Sequence, residues 1–160
     1  MRAASRIEVA MPIRCEVVTQ DKRLFEGMVE AVIAPGETGE LGVLPHHAPL
    51  LTTLGYGVLR LRLEDREEDF VIGGGVMEVL PDRVTVLADV GENVAEIDIA
   101  RAERARAKAH ELLKHREELG EEEYAAIEAA LRRSNLRLGA ARRFGRARKP
   151  GPGYGSGEEG

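Results

Sequence analysis

The chain has 160 residues, 43% of them hydrophobic, so it can bury one substantial core or two small ones. Its 23 basic and 28 acidic residues give a net charge of −5, which argues against wholesale nucleic-acid binding. The single cysteine excludes an internal disulfide or a cysteine metal cluster, and no apolar run approaches the roughly 20 residues of a membrane-spanning helix.

The N-terminal ten residues, MRAASRIEVA, contain no uninterrupted apolar segment and make a poor signal peptide. We expect residues 1–11 to be a flexible extension that precedes the folded chain.

Residues 13–87 alternate between apolar and polar side chains, which is typical of strands with one buried and one solvated face. The clearest example is residues 58–63, where leucine alternates with arginine. VMEVL and VTVLA flank residues 81–83, which predicts a hairpin with a proline-led turn. Residues 73–75, all glycine, predict a bulge or close backbone approach that interrupts a strand. With no helices between the strands, this spacing indicates a sandwich or barrel, and we predict an antiparallel β-sandwich over residues 12–95.

Residues 36–54, GETGELGVLPHHAPLLTTL, predict a loop, a short strand, a second loop and a second short strand. Glu40 and His47 lie on this exposed backbone, and scaffolds often make their partner contacts through such loops. The glycine-rich part lacks the Gly-Lys-Ser/Thr ending of a phosphate loop, which excludes that motif.

After Val94 the composition changes to Ala, Glu, Arg and Leu, without proline up to Phe144. A break near Leu119 and Gly120 separates two amphipathic segments, so we predict an antiparallel two-helix hairpin over residues 96–144. Because alanine dominates the apolar seam of the first helix, the hairpin should bury little apolar area and be able to open. The predicted seam residues are Ala102, Ala105, Ala109, Leu112 and Leu113, then Tyr124, Ile127, Leu131 and Leu138.

Residues 145–160 are glycine-rich, are broken by proline and have no periodicity. We therefore expect a disordered tail.

The residue types argue against independent catalysis. His46 and His47 would point to opposite faces of a strand, and no third ligand joins them or the helical pair His110 and His115, so we expect no metal site. Cys15 lies in an alternating strand pattern, where a small buried hydrophobe is the expected role. No Ser/His/Asp arrangement is recognisable.

The two predicted helices carry a set of charges that has two interpretations. Asp98, Arg101 and Lys108 line one side of the first helix, and Arg133 and Arg137 are i, i+4 neighbours on the second. Packed together, the helices could bring these cations to one phosphate group. Alternatively, Asp98 is an N-cap and the basic residues form a solvated face. The spacing leaves both interpretations open.

Four segments, GELGVLPHHAPLL, GGGVMEV, PDRVTVLAD and EIDIARA, occur in an order that resembles the epsilon-subunit family of bacterial F-type ATP synthase. The resemblance covers residues 12–143. It implies a non-catalytic rotor subunit of the central stalk, which couples proton-driven rotation to ATP synthesis. The implied partners are the gamma subunit and the c-subunit ring, faced by the loop that carries Glu40 and His47. The implied location is the cytoplasmic side of a bacterial cell membrane, peripheral and without membrane insertion.

The resemblance also implies regulation through the hairpin. In the family, the folded hairpin permits turnover, and the extended hairpin reaches the catalytic alpha/beta head and blocks ATP hydrolysis. In some members ATP binds the folded form, so the resemblance implies a regulatory ATP and no required cofactor. The family's Ile/Leu-Asp-x-x-Arg-Ala motif is present, with a preceding carboxylate and two arginines on the second helix. The implied ATP-binding residues are Glu92, Ile97, Asp98, Arg101, Ala102, Lys108, Arg133 and Arg137.

Two positions depart from the family pattern. Lys108 stands where ATP-binding members have arginine, and it lacks the planar fork that grips phosphate, so we expect weak ATP binding. His46 replaces a usual glycine, which permits backbone angles that histidine disfavours.

Two other classes of protein fit parts of the sequence. A free-standing nucleotide sensor would need only residues 92–137 and would not copurify with a gamma subunit. An unrelated adaptor would show neither nucleotide binding nor ATPase partners.

Overall fold

The computed structural model describes residues 11–145, which form a β domain followed by two α-helices. A short 3-10 turn, Val94–Glu96, joins the two parts, so the boundary predicted at residues 95 and 96 lies within it. The helices are α1 (Ile99–Leu113) and α2 (Glu121–Phe144). The strands are β1 (Ile13–Val18), β2 (Arg23–Val29), β3 (Ala31–Pro35), β4 (Glu40–Val43), β5 (Leu50–Arg62), β6 (Glu67–Leu80), β7 (Arg83–Ala88) and β8 (Gly91–Asn93).

The expected N-terminal extension and C-terminal tail lie outside the described residues, except for Met11 and Gly145.

The strands pair in the order β2-β1-β7-β6-β5-β3-β4, and β8 pairs with β6. The two long strands change neighbours along their length. The start of β6 pairs with β8 and its end with β7. In β5, only the last residues pair with β3. The two halves of β5 and β6 therefore contribute to two layers, and the predicted β-sandwich is confirmed.

One strand pair differs from the antiparallel prediction. β1 runs parallel to β7, with Arg14 opposite Arg83 and Val18 opposite Leu87. The other pairs among the described strands are antiparallel. Apolar alternation reports which face of a strand is buried but not the direction of its neighbour, so the sequence contained no signal for this pair.

The main core lies between the layers and is built from alternate residues of the strands. Leu59 and Leu61 of β5 are fully buried, as the leucine–arginine alternation predicts. Phe70 is the largest fully buried side chain. Cys15 is also fully buried, which confirms its predicted role as a small core residue. The predicted turn at Pro81 and Asp82 joins β6 to β7, with Leu80 opposite Arg83.

β6 continues through its three glycines, so they do not interrupt the strand as the sequence suggested. They lie where β6 passes from β8 to β7. Gly74 and Gly75 have φ of 82° and 136°, a region that side chains disfavour. A Cβ at Gly75 would overlap the carbonyl oxygen of Leu87, and one at Gly73 would lie 2.6 Å from Val90 Cγ2. The predicted close backbone approach is therefore confirmed.

The two helices pack against each other through a narrow seam. Ala102 and Ala109 of α1 are buried, but Ala105 and Leu112, predicted for the same seam, are exposed. The connection is also longer than predicted. α1 already ends at Leu113, because the next amide, Lys114 N–H, donates to the carbonyl three residues back in a tightened last turn.

On α2, Ile127 and Leu138 are buried as predicted, together with Ser134, which the sequence did not single out. The Ser134 hydroxyl donates to the carbonyl of Ala130 at 2.9 Å, so its polar group is satisfied within the helix. Neither described helix is long and apolar enough to cross a bilayer.

The hairpin contacts the sandwich through a small apolar cluster that is separate from the main core. Val71 of β6, Val94 of the 3-10 turn and Ala140 of α2 are its buried members. The partly buried members are Val58, Ile97, Leu136 and Phe144. Because the buried members are small, the hairpin gains little free energy from this contact.

Candidate functional site

A cleft of about 370 Å³ lies where the hairpin meets the sandwich. We call it the joint cleft. Its lining includes Glu92 from β8, Arg101 from α1, and Arg133 and Arg137 from α2. The fold therefore brings together four residues that the family resemblance implicates in ATP binding. They come from three separate elements, so the cleft exists only while the hairpin is folded onto the sandwich.

Glu92 and Arg137 form a bidentate ion pair across the joint. Arg137 Nε donates to Glu92 Oε2 at 2.7 Å, and Arg137 Nη2 donates to Glu92 Oε1 at 2.9 Å. The Arg137 side chain is 25% exposed and the Glu92 side chain 30% exposed, so water screens the pair only partly. β8 holds Glu92 in position through its pairing with Val71 of β6. The planar arginine fork thus ties α2 to the sheet.

Arg101 and Arg133 are exposed cations on the helical side of the joint cleft. Within residues 11–145, no carboxylate lies within 4.0 Å of either guanidinium. The arrangement can therefore accept an anion without breaking an existing ion pair.

The other four implied ATP-binding residues do not line the joint cleft. Asp98 caps α1, because its Oδ1 accepts a hydrogen bond from the Arg101 amide at 2.9 Å, which confirms the N-cap interpretation. Ile97 packs in the small apolar cluster, and Ala102 is buried in the helix seam. Lys108 is exposed farther along α1.

Tyr56 lines the joint cleft, and sequence reasoning missed it. Tyr56 is 49% exposed, and the Arg132 guanidinium lies 5.9 Å from the centroid of its ring. The available signal was an aromatic residue on the outward face of β5, opposite Gly73 of β6. Nothing in the alternation pattern linked that face to the helices.

The two candidate partner contacts lie apart from the joint cleft. Glu40 begins β4, is mostly exposed, and approaches Arg60 Nη2 at 3.7 Å. His47 Nδ1 lies 2.7 Å from the carbonyl oxygen of Ala48, and its amide donates to Leu44 O at 3.1 Å. The neighbouring His46 adopts φ 67°, so histidine occupies the left-handed conformation that the resemblance associates with glycine.

In two groups outside the joint cleft, burial is the main cause of a shifted pKa. Burial raises the pKa of the Cys15 thiol to about 12, and burial followed by the charge of Glu67 raises the pKa of Asp69. The described residues contain no group of three or more His, Cys, Asp or Glu side chains placed to hold a metal ion.

Comparisons with known proteins place the chain in a family. The family model for the "ATP synthase, Delta/Epsilon chain, beta-sandwich domain" matches residues 12–94. The chain is 43% identical over 133 residues to the ATP synthase epsilon chain of Syntrophobacter fumaroxidans, covering 83% of this chain and 98% of that one. It is 49% identical over 100 residues to the epsilon chain of Pelotomaculum thermopropionicum, covering 62% and 75%.

A likeness to a solved structure agrees with the fold. A chain in the cryo-EM structure of Euglena gracilis mitochondrial ATP synthase (OSCP/F1/c-ring in rotational state 1) aligns with a TM-score of 0.61 and 20% identity, covering 92% of this chain and 88% of that one. From the sequence matches, the chain belongs to the ATP synthase epsilon-chain family and is thus a subunit of ATP synthase that is not itself catalytic.

Proposed function

We propose that the chain is a central-stalk rotor subunit of a bacterial F-type ATP synthase, where it helps couple proton-driven rotation to ATP synthesis. Its proposed partners are the gamma subunit and the c-subunit ring, contacted by the loop that carries Glu40 and His47. The subunit is held by these protein contacts at the cytoplasmic side of the cell membrane. The match to epsilon chains over most of their length supports this proposal.

The hairpin is the proposed regulatory element. Folded, it leaves the rotor free; extended toward the alpha/beta head, it inhibits ATP hydrolysis. The observation that carries this proposal is the joint cleft, where charged side chains from the sandwich and both helices meet. A ligand bound there touches all three elements and therefore favours the folded hairpin.

ATP is the proposed ligand. The guanidinium groups of Arg101 and Arg133, which pair with no carboxylate of residues 11–145, suit the phosphates. The partly exposed Tyr56 offers an aromatic ring on which the base can pack. Ligand binding stabilises the folded state by RT ln(1 + [L]/Kd), which is about 0.4 kcal/mol at [L] = Kd and about 2.7 kcal/mol at 100 times Kd. Such small energies can switch only a nearly balanced equilibrium, and the small size of the buried residues between hairpin and sandwich supports such a balance. Binding is expected to be weak because Lys108 lacks the arginine fork.

Calorimetric titration of the isolated protein with ATP tests the ligand. We expect saturable binding at or below millimolar ATP. Replacing both Arg101 and Arg133 with alanine should weaken it and favour the extended hairpin. The matched control replaces Arg104 and Arg142, which lie on the same helices, are exposed and do not line the joint cleft.

The outcomes separate the parts of the proposal. If no saturable heat is observed up to millimolar ATP, the proposal that ATP is the ligand is refuted, whereas the proposed rotor function is not affected. Full affinity in the Arg101/Arg133 variant would overturn the convergence of these cations on the phosphates. The rotor assignment has its own test, a pull-down from native membranes. Recovery of the gamma subunit is expected, and its absence would contradict the assignment.

A further inference from the structure

A second cleft, of about 390 Å³, lies at the C-terminal end of α2. We call it the acidic cleft. Phe144 and Gly145, the last described residues, line one part of it. The turn between β5 and β6 and the start of β6 provide the acidic lining, which consists of Asp65, Glu67, Glu68 and Asp69. The cleft is distinct from the joint cleft and shares none of its charged residues.

The described residues neutralise these four carboxylates only in part. Arg66 is the one basic residue in the lining, and it pairs with Asp65 at 3.2 Å and Glu68 at 3.0 Å. Two further arginines lie outside the lining: Arg62 is 3.6 Å from Glu67, and Arg60 lies opposite Asp69 and acts electrostatically on its carboxylate. Four carboxylates thus face three arginines. The cleft therefore retains an excess of negative charge.

Asp69 is the least satisfied of the four. Its Oδ1 is buried and makes no hydrogen bond to any described residue, although Asp69 lies opposite Arg60 in the β5–β6 ladder. Burial and the neighbouring Glu67 raise the pKa of this carboxyl. A buried acceptor without a partner is unfavourable, so the described residues leave the hydrogen-bonding capacity of Asp69 incompletely satisfied.

The chain itself supplies a complementary segment. Gly145 lines the cleft, and the next four residues are Arg146, Ala147, Arg148 and Lys149. Three positive charges thus begin one residue beyond the cleft wall. An extended stretch of four residues spans about 13–14 Å, enough to bring these side chains to the turn between β5 and β6. The acidic residues of the tail, Glu158 and Glu159, come only later in the sequence.

We propose that the acidic cleft is the docking site of the chain's own basic segment, residues 146–149. Docking fastens the C-terminal end of α2 to the sandwich, at a point separate from the Glu92–Arg137 pair. It favours the folded hairpin without a ligand. Because the attraction is between charges near the surface, salt weakens it. The proposal does not depend on ATP binding.

Zero-length cross-linking of the full chain with a water-soluble carbodiimide tests the contact. The reagent adds to a carboxylate to form an O-acylisourea. A nearby lysine amine then attacks the acyl carbon, a urea leaves, and an amide bond forms. We expect the main Lys149 product to join Lys149 to Asp65, Glu67 or Glu68, as mapped by mass spectrometry. Replacing Arg146 and Arg148 with glutamine keeps the reporter lysine and should lower this yield about threefold.

Two controls make the result decisive. Replacing Glu158 and Glu159 with glutamine also removes two tail charges, but it should leave the cross-link yield unchanged. A mixture of ¹⁵N-labelled and unlabelled protein distinguishes contacts within a chain from contacts between chains. Products within one chain support the proposal. Products between chains would assign the cleft to a second copy and overturn it. Lys149 products spread over the protein surface, or a yield insensitive to the Arg146/Arg148 change, would also overturn it.

A second measurement connects docking to the hairpin. Amide hydrogen exchange in the last turns of α2 should become about threefold faster in the Arg146/Arg148 variant and in high salt. Unchanged exchange would show that the segment does not fasten the helix. Because ATP is proposed to bind only the folded hairpin, the same variant should bind ATP at most about threefold more weakly than the wild type. The cross-link yield and the exchange rates are measured without nucleotide, so a failure of this proposal is distinguishable from a failure of the nucleotide proposal.

Discussion

The bidentate ion pair between Glu92 and Arg137 joins two residues that are far apart in sequence and belong to different parts of the fold. Replacing Glu92 with glutamine removes the charge from the acceptor and leaves a half-buried arginine without its counter-ion. We expect this change to destabilise the docked hairpin by about 1–2 kcal/mol. Urea unfolding, combined with hydrogen exchange on α2, measures the loss.

The matched control for this prediction is Glu111→Gln. Glu111 pairs with Lys114 at 3.1 Å, but these side chains are 65% and 71% exposed. Water and salt screen that pair, so its loss should change stability by less than about 0.5 kcal/mol. Equal effects from the two substitutions would show that the Glu92–Arg137 pair does not hold the hairpin.

The buried thiol of Cys15 predicts a pH dependence. Its pKa rises from 9.0 to about 12 on folding, chiefly because burial penalises the thiolate. Above pH 9 the unfolded chain loses a proton that the folded chain keeps, so stability falls as pH rises toward 12. The limiting slope is about 1.4 kcal/mol per pH unit. Urea unfolding at pH 8, 9 and 10 should show a steeper decline for the wild type than for Cys15→Ala. Parallel curves would contradict the shift.

At the level of single residues, sequence reasoning identified part of the lining of the joint cleft. Glu92, Arg101 and the α2 arginines came from a motif, and the fold brings them to one cleft. The N-cap interpretation of Asp98 rested on local chemistry and is confirmed. Tyr56 escaped notice because its part in the cleft depends on where the hairpin docks, and no local pattern contains that information.

Among the elements, β6 depends most on its glycines. We expect Gly75→Ala to destabilise the sandwich by about 3 kcal/mol or more, because φ is 136° and the new Cβ would overlap the carbonyl oxygen of Leu87. Gly42→Ala in β4 is the control, since a Cβ there would meet nothing within 4 Å. It should change stability by less than about 1 kcal/mol. Thermal or urea unfolding measures the stability of both variants. Similar losses of stability for the two would refute the explanation that Gly75 is required by the close backbone approach.

Element types were predictable because apolar side chains recur about every 2 residues in strands and every 3.6 residues in helices, and both patterns are local. The turn before Arg83 was predictable because proline and aspartate favour turns. Two features were not. The parallel partner of β1 comes from the other end of the domain, beyond the reach of any local pattern. The early end of α1 at Leu113 depends on a tightened last turn, although the helical composition continues beyond it.

For the whole molecule, the separation of the two hydrophobic clusters predicts that the sandwich folds without the helices. All buried members of the main core belong to strands, whereas truncation after Val94 removes only Ala140 from the buried part of the small cluster. We expect the truncated chain to retain a cooperative urea transition and the near-ultraviolet circular dichroism of a packed core. Loss of that transition would show that the helices are required for folding.

The same truncation tests, within assembled ATP synthase, the proposal that the hairpin inhibits ATP hydrolysis. Coupling through the sandwich should persist, while the rate of ATP hydrolysis should rise because the inhibitory helices are absent. An unchanged rate of ATP hydrolysis would count against inhibition by the hairpin. The two-part organisation behind this experiment was visible in the sequence as a change of composition. The docking of one part on the other was not, because an apolar seam does not specify what it will pack against.

The position of β1 between β2 and β7 affects how the protein emerges during synthesis. β1 and β2 leave the ribosome early and can form a hairpin, but the second neighbour of β1 is made only after β3 to β6. Until then β1 lacks the neighbour that β7 supplies. The sandwich can therefore close only after β7 has been made, and until then the free edge of β1 is open to chaperones and to pairing with the wrong strand.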